Sequence, residues 1–350
     1  MRLKVAFIGA GWVCQARYLP VFSQNRFVQC FGLVDTNPDV AEKVAKRYCI
    51  PYFSIESKPD SIEWLRQCDA VCVTSPPQNH YEWIMWALDN NKHVLTEKPV
   101  TVGREKGRTI FQKAKNSKVI FCVNHNTLFT YAAQKAQHLL ATGRLGPITD
   151  YSINLFNSPR RHLPKWYDEL PLGLLYDELS HFLYQADSVC PELRLHKAYF
   201  FPSRTGLRTP SSARISLLSK YCPVFFSLNF ESPICEWHII ISCPQGIMII
   251  DIFRDIFIFL PNDKCHQAFD QLRTVSCGIV DYVFGFIRSG FNYIRGRLYF
   301  GADYVFRHFI DTCLGIAPLP QSINLSSAER IFELLCDCIE ELERNKQTIS

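Results

Sequence analysis

The chain has 350 residues, which is enough for about two domains that each bury a sizeable core. Hydrophobic residues make up 47% and charged residues 20% of the sequence, and this balance excludes an intrinsically disordered protein. The net charge of +5 comes without a long Lys/Arg block, so we expect no nucleic-acid partner.

The first residues, MRLKVAFIGAGW, form too short a basic and apolar stretch for a signal peptide, and no apolar run reaches about 18 residues. The fifteen cysteines are scattered, mostly inside apolar runs, which is typical of small reduced hydrophobic side chains. Their spacings match no metal site, so no metal is expected. We therefore predict a cytoplasmic protein.

A short apolar strand, Leu3 to Ile8, leads into Gly9-Ala10-Gly11, and a helical pattern follows. Gly9 permits a tight turn, and Gly11 lets backbone N–H groups approach a pyrophosphate at the helix N-terminus. The third glycine of this fingerprint is replaced by Cys14, so the pattern alone is a weak signal. The residues predicted to bind a dinucleotide here are Gly9, Gly11, Trp12 and Val13.

A second apolar strand, VQCFGLVD, ends at Asp35, 24 residues after Gly11. An acid near this spacing accepts hydrogen bonds from an adenosine ribose. Thr36 and Asn37 follow, without an arginine for a 2′-phosphate, so NAD is favoured over NADP. Asp35 also precedes the helical stretch NPDVAEKVAKRYC, and an N-cap role there is an alternative that is compatible with ribose binding.

Strand and helix patterns alternate up to about residue 123. Apolar strands of this length between helices predict a parallel, doubly wound Rossmann sheet over residues 1–123. Ligands of such sheets bind outside the carboxyl ends of the strands. The polar residues at those ends are predicted to contact the cofactor: Thr74, Ser75, Pro76, Glu97, Lys98 and Asn124. His80 is predicted to contact the nicotinamide side, and a purely structural role at a helix start is the alternative.

From about residue 124 the alternation gives way to consecutive strand patterns with short turns. They predict an α+β domain with a mostly antiparallel open sheet over residues 124–350. Within it, residues 279–310 alternate aromatic side chains with Arg288, Arg295, Arg297 and Arg307. As a pair of helices, this segment is typical of a packing lid or an oligomer contact. A basic, aromatic surface for a membrane or a lipid-linked sugar is the alternative.

Three stretches, GAGWVC, VTSPPQNHYEWIMWALDNNKHVLTEKP and HLLATGRLGPITDYSINL, resemble the Gfo/Idh/MocA family of NAD(P)-dependent oxidoreductases. The resemblance implies a small polyhydroxylated substrate and a homo-oligomer. It also implies that Lys98 of the Glu-Lys-Pro motif lies beside the nicotinamide, often before a cis proline, and helps in proton transfer. In the second motif of the family, Gly173, Asp177 and His181 stand at matching positions.

The second motif departs from the family pattern at three positions. Leu172 replaces its first glycine, Leu179 its inner glycine and Tyr184 its last aspartate. Thr127 also stands near the place of a frequent family arginine. The chemistry of the motif is retained, and the changes concern the substrate pocket.

Asp177 and His181 lie four residues apart in a helical pattern, so they share one face. His181 suits the role of general base, and Lys98 can donate to the same substrate oxygen. Asp177 would orient the substrate or the imidazole. Two more residues are predicted substrate contacts, His125 at a strand end and Trp166, for which simple core packing is the alternative.

The sequence thus predicts an NAD(P)-dependent dehydrogenase or reductase of a sugar, nucleotide sugar or cyclitol. Two alternatives remain open. One is a non-catalytic sensor or regulator that keeps the nucleotide-binding fold, and the other is a reductase of the same fold acting on a non-sugar substrate.

Overall fold

The computed structural model describes residues 2–160, 163–296 and 299–346. These residues divide into two compact units. One contains the chain up to Asn126 together with Ala302–Glu333, and the other contains Thr127–Gly301 and the chain from Leu334 onward. The sequence predicts one domain over residues 124–350. It does not predict that residues 302–333 return to the first unit.

Six parallel strands form the sheet of the first unit. They are β1 (Leu3–Ile8), β2 (Val28–Val34), β3 (Tyr52–Ser54), β4 (Ala70–Val73), β5 (His93–Thr96) and β6 (Phe121–Val123). Their order is β3-β2-β1-β4-β5-β6. The strand order therefore reverses between β1 and β4, which is the position where dinucleotides bind in this fold. The predicted parallel Rossmann sheet is confirmed.

Helices connect these strands, as the alternating pattern predicts. A π-helical turn, Cys14–Tyr18, continues as α1 (Leu19–Phe22), and α2 (Pro38–Arg47), α3 (Pro77–Asp89) and α4 (Arg104–Lys115) follow. Short 3₁₀ turns cover Pro59–Ser61, Glu63–Gln67 and Asn126–Phe129. Asn37 caps α2, because its side chain accepts from two backbone N–H groups of the first turn.

Seven strands form the sheet of the second unit. They are β7 (Asp150–Phe156), β8 (Arg194–Phe201), β9 (Ser212–Leu218), β10 (Pro223–Asn229), β11 (Glu236–Cys243), β12 (Gly246–Asp251) and β13 (Ile256–Pro261). The order is β13-β12-β11-β7-β10-β9-β8, and only the β7–β10 pair is parallel. Buried residues alternate with more exposed ones along β9, β10 and β11, as in a sheet with one face on a core. The predicted mostly antiparallel sheet is confirmed.

The second unit also contains α5 (Tyr131–Ala141), a 3₁₀ turn (Lys165–Glu169), α6 (Leu174–Asp187) and α7 (Ala268–Ile294). The predicted helix pair in the aromatic segment corresponds to α7 and to α8 (Ala302–Cys313). Arg297 of that segment lies outside the described residues. Among residues 2–160, 163–296 and 299–346, no helix combines the length and the hydropathy that a membrane span requires.

The returning segment is held by aromatic contacts and ion pairs. It comprises α8, a 3₁₀ turn (Gln321–Ile323) and the start of α9 (Leu325–Arg344). The ring of Phe306 lies 4.1 Å from that of Tyr18, and Phe332 lies 5.7 Å from Phe111. Glu333 accepts from Arg104 at 2.5 Å. Because these residues are far apart in sequence, local patterns do not reveal the contact.

We predict that Gly107→Ala destabilises the first unit, although alanine normally favours a helix interior by about 1 kcal/mol. An added Cβ would lie 2.0 Å from the ring of Phe332, so we expect a loss of about 1–3 kcal/mol in the free energy of unfolding. Denaturant unfolding followed by circular dichroism measures it. Gly290→Ala on α7 is the matched control, because its Cβ would meet nothing within 4 Å. Equal effects of the two changes would contradict close packing at Gly107.

Candidate active site

The glycine turn after β1 lies directly against the loop that follows β4. Gly9 has a φ of 93°, and a Cβ there would lie 2.7 Å from the backbone nitrogen of Ser75. Thr74 Oγ1 donates to the Gly9 carbonyl at 2.7 Å and thereby joins the two loops. Both the left-handed backbone and the close approach require glycine. Gly11 is exposed, and a Cβ at that position would meet nothing within 4 Å.

Asp35 joins the end of β2 to the same turn. Its Oδ2 accepts from the N–H of Ala10 at 2.7 Å, and its Oδ1 accepts from the N–H of Asn37 at 2.9 Å. The helix cap is Asn37, which accepts from Asp39 and Val40, so the N-cap role suggested for Asp35 was wrong. A carboxylate has about four acceptor sites, so these two bonds leave capacity for a ligand hydroxyl.

A cleft of about 230 Å³ opens beside the turn within the first unit. Gly9, Asp35, Ser75 and Pro76 line it, as the sequence predicts for cofactor-binding residues. The buried Ser75 hydroxyl makes no hydrogen bond within the described part of the chain. The sequence does not single out the remaining polar and aromatic residues of the lining. Glu56, Ser57 and Lys58 follow the short strand β3, and Asn79, Glu82 and Trp83 lie on one side of α3. Thr36 directly follows Asp35.

Trp12 and Val13, also predicted to bind the cofactor, follow the turn at the start of the first helix. Trp12 is 68% exposed, and the guanidinium of Arg17 lies 5.2 Å from its ring centroid. Val13 is half-buried and precedes the π-helical turn. Both residues therefore belong to the element that starts at the glycine turn.

The Glu-Lys-Pro motif forms the loop after β5. Glu97 Oε1 accepts from the phenol of Tyr18 at 2.8 Å and from the amide of Asn124 at 2.7 Å. Burial, reinforced by Glu97, raises the pKa of Tyr18 well above its usual value, so the phenol stays a donor. The Lys98–Pro99 peptide is cis, as the family resemblance implies. Glu97 therefore anchors the loop that carries Lys98.

Two histidines of the first unit are deeply buried. The ring of His80 lies between the Ser75 carbonyl, at 2.7 Å from Nε2, and the Pro99 carbonyl, at 3.1 Å from Nδ1. His125 Nδ1 lies 3.2 Å from the Ser322 carbonyl of the returning segment. Both rings thus connect backbone segments. The contacts of His80 fit its predicted structural role. His125 contacts the backbone of Ser322, whereas the sequence predicts a contact with the substrate.

Asp177 and His181 both lie on α6, in the second unit. Gly173 precedes the helix with a φ of 58°, and a Cβ there would meet Thr209 Oγ1 at 2.3 Å. Leu172, where the family has glycine, adopts a φ of 53°. A side chain in this left-handed region costs about 1–2 kcal/mol. The start of α6 is therefore a strained turn. The predicted convergence of His181 with Lys98 stays a prediction.

A hydrogen-bonded chain leads away from the imidazole of His181. Its Nδ1 lies 2.5 Å from Tyr184 Oη, which in turn lies 2.8 Å from Thr127 Oγ1. Tyr184 Oη also accepts from the backbone N–H of Thr127 at 3.3 Å, and Gln185 donates to Thr127 Oγ1 at 2.8 Å. Two departures from the family pattern, Tyr184 and Thr127, therefore contact each other. Leu179, a third departure, is fully buried on α6.

Trp166 lies in the 3₁₀ turn of the second unit and is half-buried. Its ring stacks on that of Tyr167 with a centroid separation of 3.8 Å. This pair makes an aromatic surface on a turn. Both the substrate contact and the packing role suggested for Trp166 remain predictions.

One cluster of potential metal ligands occurs among the described residues, namely Glu236, His238 and Asp251. Arg254 donates to Glu236 at 2.7 Å and to Asp251 at 2.6 Å. The hydrogen bond from Arg254 lowers the pKa of Glu236. Because the guanidinium of Arg254 already donates to both carboxylates, this cluster is an ion-pair network and not a candidate metal site.

The Rossmann sheet of the first unit agrees with the family model that this part of the sequence matches. Residues 3–125 match the model of the family described as "Oxidoreductase family, NAD-binding Rossmann fold", Gfo/Idh/MocA. The N-terminal domain belongs to the Gfo/Idh/MocA family. The suspected resemblance is therefore confirmed for this part of the chain.

Relatives of known function match parts of the chain. A scyllo-inositol 2-dehydrogenase (NADP(+)) of Bacillus subtilis is 32% identical over 33% of each chain. A glucose-6-phosphate 3-dehydrogenase of the same organism is 21% identical over 79% of this chain and 80% of its own. The chain spans half or less of the length of several other relatives that it matches.

A solved structure extends the likeness to the whole chain. It is a mutant 3-ketoreductase from Actinomadura kijaniata in complex with TDP-benzene and NADP, with a TM-score of 0.76. The identity is 16%, with 100% of both chains covered. At this identity the similarity establishes the fold alone.

The burial of His125 predicts a pH-dependent stability. Desolvation lowers the pKa of this imidazole from 6.5 to about 4, so the folded state holds the neutral ring. Below pH 6.5 the unfolded chain takes up the proton first, and stability is lost as the pH falls from 6.5 towards 4. This loss amounts to about 3 kcal/mol.

Because glutamine does not titrate and can still donate to the Ser322 carbonyl, His125→Gln should remove most of this loss. Denaturant unfolding at a series of pH values measures it, with the exposed His138→Gln as the control. A variant whose stability falls as steeply as that of the natural protein would contradict a buried neutral His125.

Proposed function

We propose that this protein is an NAD-dependent oxidoreductase that transfers a hydride between the nicotinamide and a secondary alcohol or ketone. The observation that supports it best is that the glycine turn after β1 and the Glu-Lys-Pro loop after β5 lie at the carboxyl edge of one parallel sheet, on either side of the loop after β4. A nucleotide-binding sensor needs the turn but not a lysine beside the reacting carbon, and no observation favours that alternative.

The residues of the first unit fit a dinucleotide. The Ser75 hydroxyl and the side-chain amide oxygen of Asn124 are buried without a hydrogen-bond partner among the described residues. Such groups are normally satisfied by a ligand or water. When bound, the nicotinamide supplies the hydride chemistry, and the chain supplies orientation and proton transfer.

The charge around the cleft favours NAD over NADP. Asp35 lies where an acid accepts from the ribose hydroxyls, and a 2′-phosphate there would meet a like charge. Lys58 also lines the cleft and is the feature that would support NADP. We assign the preference to NAD, because the carboxylate is held in place by the glycine turn itself.

The substrate class is a sugar, nucleotide sugar or cyclitol. The names of the relatives support this class, since they include an inositol dehydrogenase and a glucose-6-phosphate 3-dehydrogenase. Each of those names specifies reaction at a ring carbon that carries a secondary hydroxyl. The protein acts as a homo-oligomer in this proposal, as the family resemblance implies.

Lys98 of the first domain and His181 of the second domain act on the same substrate oxygen. Lys98 donates a hydrogen bond that stabilises negative charge on this oxygen, and His181 transfers its proton. Asp177, one helical turn before His181, orients the substrate or the ring. Trp166 lines the substrate side.

Tyr184 sets the proton position on His181. We assign hydrogens that run from Gln185 to Thr127 Oγ1, from there to Tyr184 Oη, and from Tyr184 to His181 Nδ1. The neutral ring then carries its proton on Nε2. An aspartate at position 184, as in the family motif, would accept from Nδ1 and leave Nε2 unprotonated.

This difference suits the protein to ketone reduction. As the carbonyl oxygen gains negative charge, His181 Nε2 gives it a proton, and Nδ1 takes the proton of Tyr184. The phenolate is stabilised by the N–H and hydroxyl of Thr127, and solvent restores its proton after product release. Tyr184 is thus a positioning and proton-relay residue that need not touch the substrate.

The catalytic role is tested by Lys98→Met, assayed with NAD, NADP and a panel of sugars, nucleotide sugars and inositols. Loss of the ammonium removes stabilisation of the reacting oxygen, so turnover should fall about 100- to 1,000-fold while NAD still binds. Lys118→Met, at an exposed position of the same domain, is the control. Undiminished turnover of the Lys98 variant would contradict the role, and nucleotide binding by the natural protein without turnover on any substrate would favour a sensor.

The relay is tested by Tyr184→Phe, which keeps the buried ring and removes the hydroxyl. The rate constant kcat for reduction should fall about 10- to 100-fold with KM unchanged. In mixtures of light and heavy water, the kcat of the natural protein should depend on the deuterium fraction along a curve, which is typical of two transferred protons. The kcat of the variant should depend linearly on the deuterium fraction, because only one proton is transferred. The same curvature in both proteins would contradict the relay.

A further inference from the structure

The helix α7 contacts its own domain through small and polar residues. Gly278 and Gly285 face β13, where a Cβ would lie 2.8 Å from Leu260 and 2.7 Å from Ile256. Asp281, on the same side, accepts from the N–H of Phe259 at 2.9 Å. Gly278, Asp281 and Gly285 form a stripe of small and polar residues, which allows α7 to lie close to β13. The large apolar side chains of the helix therefore take little part in its packing.

Those apolar side chains point into solvent. Thirteen large hydrophobic residues from Phe269 to Ile294 are exposed, with fractions as high as 83% for Ile294 and 74% for Tyr293. At about 100° per residue they occupy an arc of roughly 200° around the helix. Helices that pack on a protein usually have the reverse pattern, with the apolar stripe inward.

The width of the arc distinguishes between two kinds of partner. A protein surface covers a helix stripe of about 100°, so a second copy would leave much of this apolar surface in water. A helix in a bilayer interface lies about 5–10 Å deep in the boundary between headgroups and acyl chains, so lipid can cover the wider arc. Between Arg273 and Arg295 the fully exposed side chains carry no charge. This uncharged length is about 30 Å.

The positive charges of α7 lie together on one edge of the arc. Helical periodicity places Arg273, Arg288 and Arg295 within about 60° of one another. Arg288 is engaged with Asp255, whereas Arg273 and Arg295 are exposed at the two ends of the uncharged length. This distribution is complementary to anionic lipid headgroups.

We propose that α7 lies in the interface of an anionic bilayer, with its β13 side away from the lipid, and holds the protein on that surface. The substrate site is not involved, so the inference does not rest on the proposed activity. One interfacial helix with two exposed cations gives reversible, salt-sensitive binding.

The proposal is tested by flotation of the full chain with vesicles of phosphatidylcholine, alone or mixed with phosphatidylglycerol. We expect the natural protein to float with the mixed vesicles at low salt. Replacing two arc residues, Phe284→Ser and Ile287→Ser, should reduce the bound fraction about tenfold. The control pair is Tyr221→Ser and Ile316→Ser, at positions 65% and 63% exposed elsewhere on the surface.

The charge contribution is tested separately by Arg273→Gln with Arg295→Gln. This pair should weaken binding to the mixed vesicles about tenfold, whereas the exposed Arg144→Gln should not. As a second measurement, a polarity-sensitive fluorophore on the exposed Cys277 should shift to the blue with mixed vesicles. The same label on the exposed Cys49 should not shift.

Absence of both flotation and the Cys277 shift would overturn the proposal. It would also be overturned if the natural protein did not bind vesicles but formed an oligomer in analytical ultracentrifugation that the Phe284 and Ile287 changes dissociated. The arc would then be a contact between copies. Thermal melts of all variants establish that they are folded.

Discussion

The first domain depends on the close approach of the Gly9 turn to the backbone at Thr74 and Ser75. This contact fixes where β1 and β4 end relative to each other, and the strand order reverses at this point. Asp35 adds a bond from β2 to the same turn. Gly9, Thr74 and Asp35 thus define the edge of the sheet at which the cleft opens. The loop that contains Lys98 lies at the same edge.

The second domain contains the departures from the family pattern. Tyr184 and Thr127 depart from that pattern separately in the sequence, yet they form one hydrogen-bonded unit behind His181. A carboxylate and an arginine would form a charged pair, whereas a phenol and a hydroxyl form a neutral one. In the proposed mechanism, Tyr184 donates to Nδ1 of His181, and this direction links the difference in sequence to the proton that the ring carries on Nε2.

Much of the fold follows from the sequence because it is encoded locally. Apolar runs alternating with helices predict the parallel sheet, and Gly9 with Asp35 marks its ligand edge. The return of residues 302–333 is not encoded locally, since it depends on Gly107 accepting the ring of Phe332. The buried positions of His80 and His125 depend on distant carbonyls. For α7, hydrophobicity predicts a helix but misleads about its inward face, which glycines mark instead.

The proposed activity depends on NAD bound at this edge by the glycine turn and Asp35. Titration calorimetry of the full chain with NAD and with NADP tests it most directly, using the natural protein and Asp35→Ser. We expect a one-to-one complex that favours NAD, and a shift of preference towards NADP in the variant. Failure of the natural protein to bind either nucleotide would contradict it.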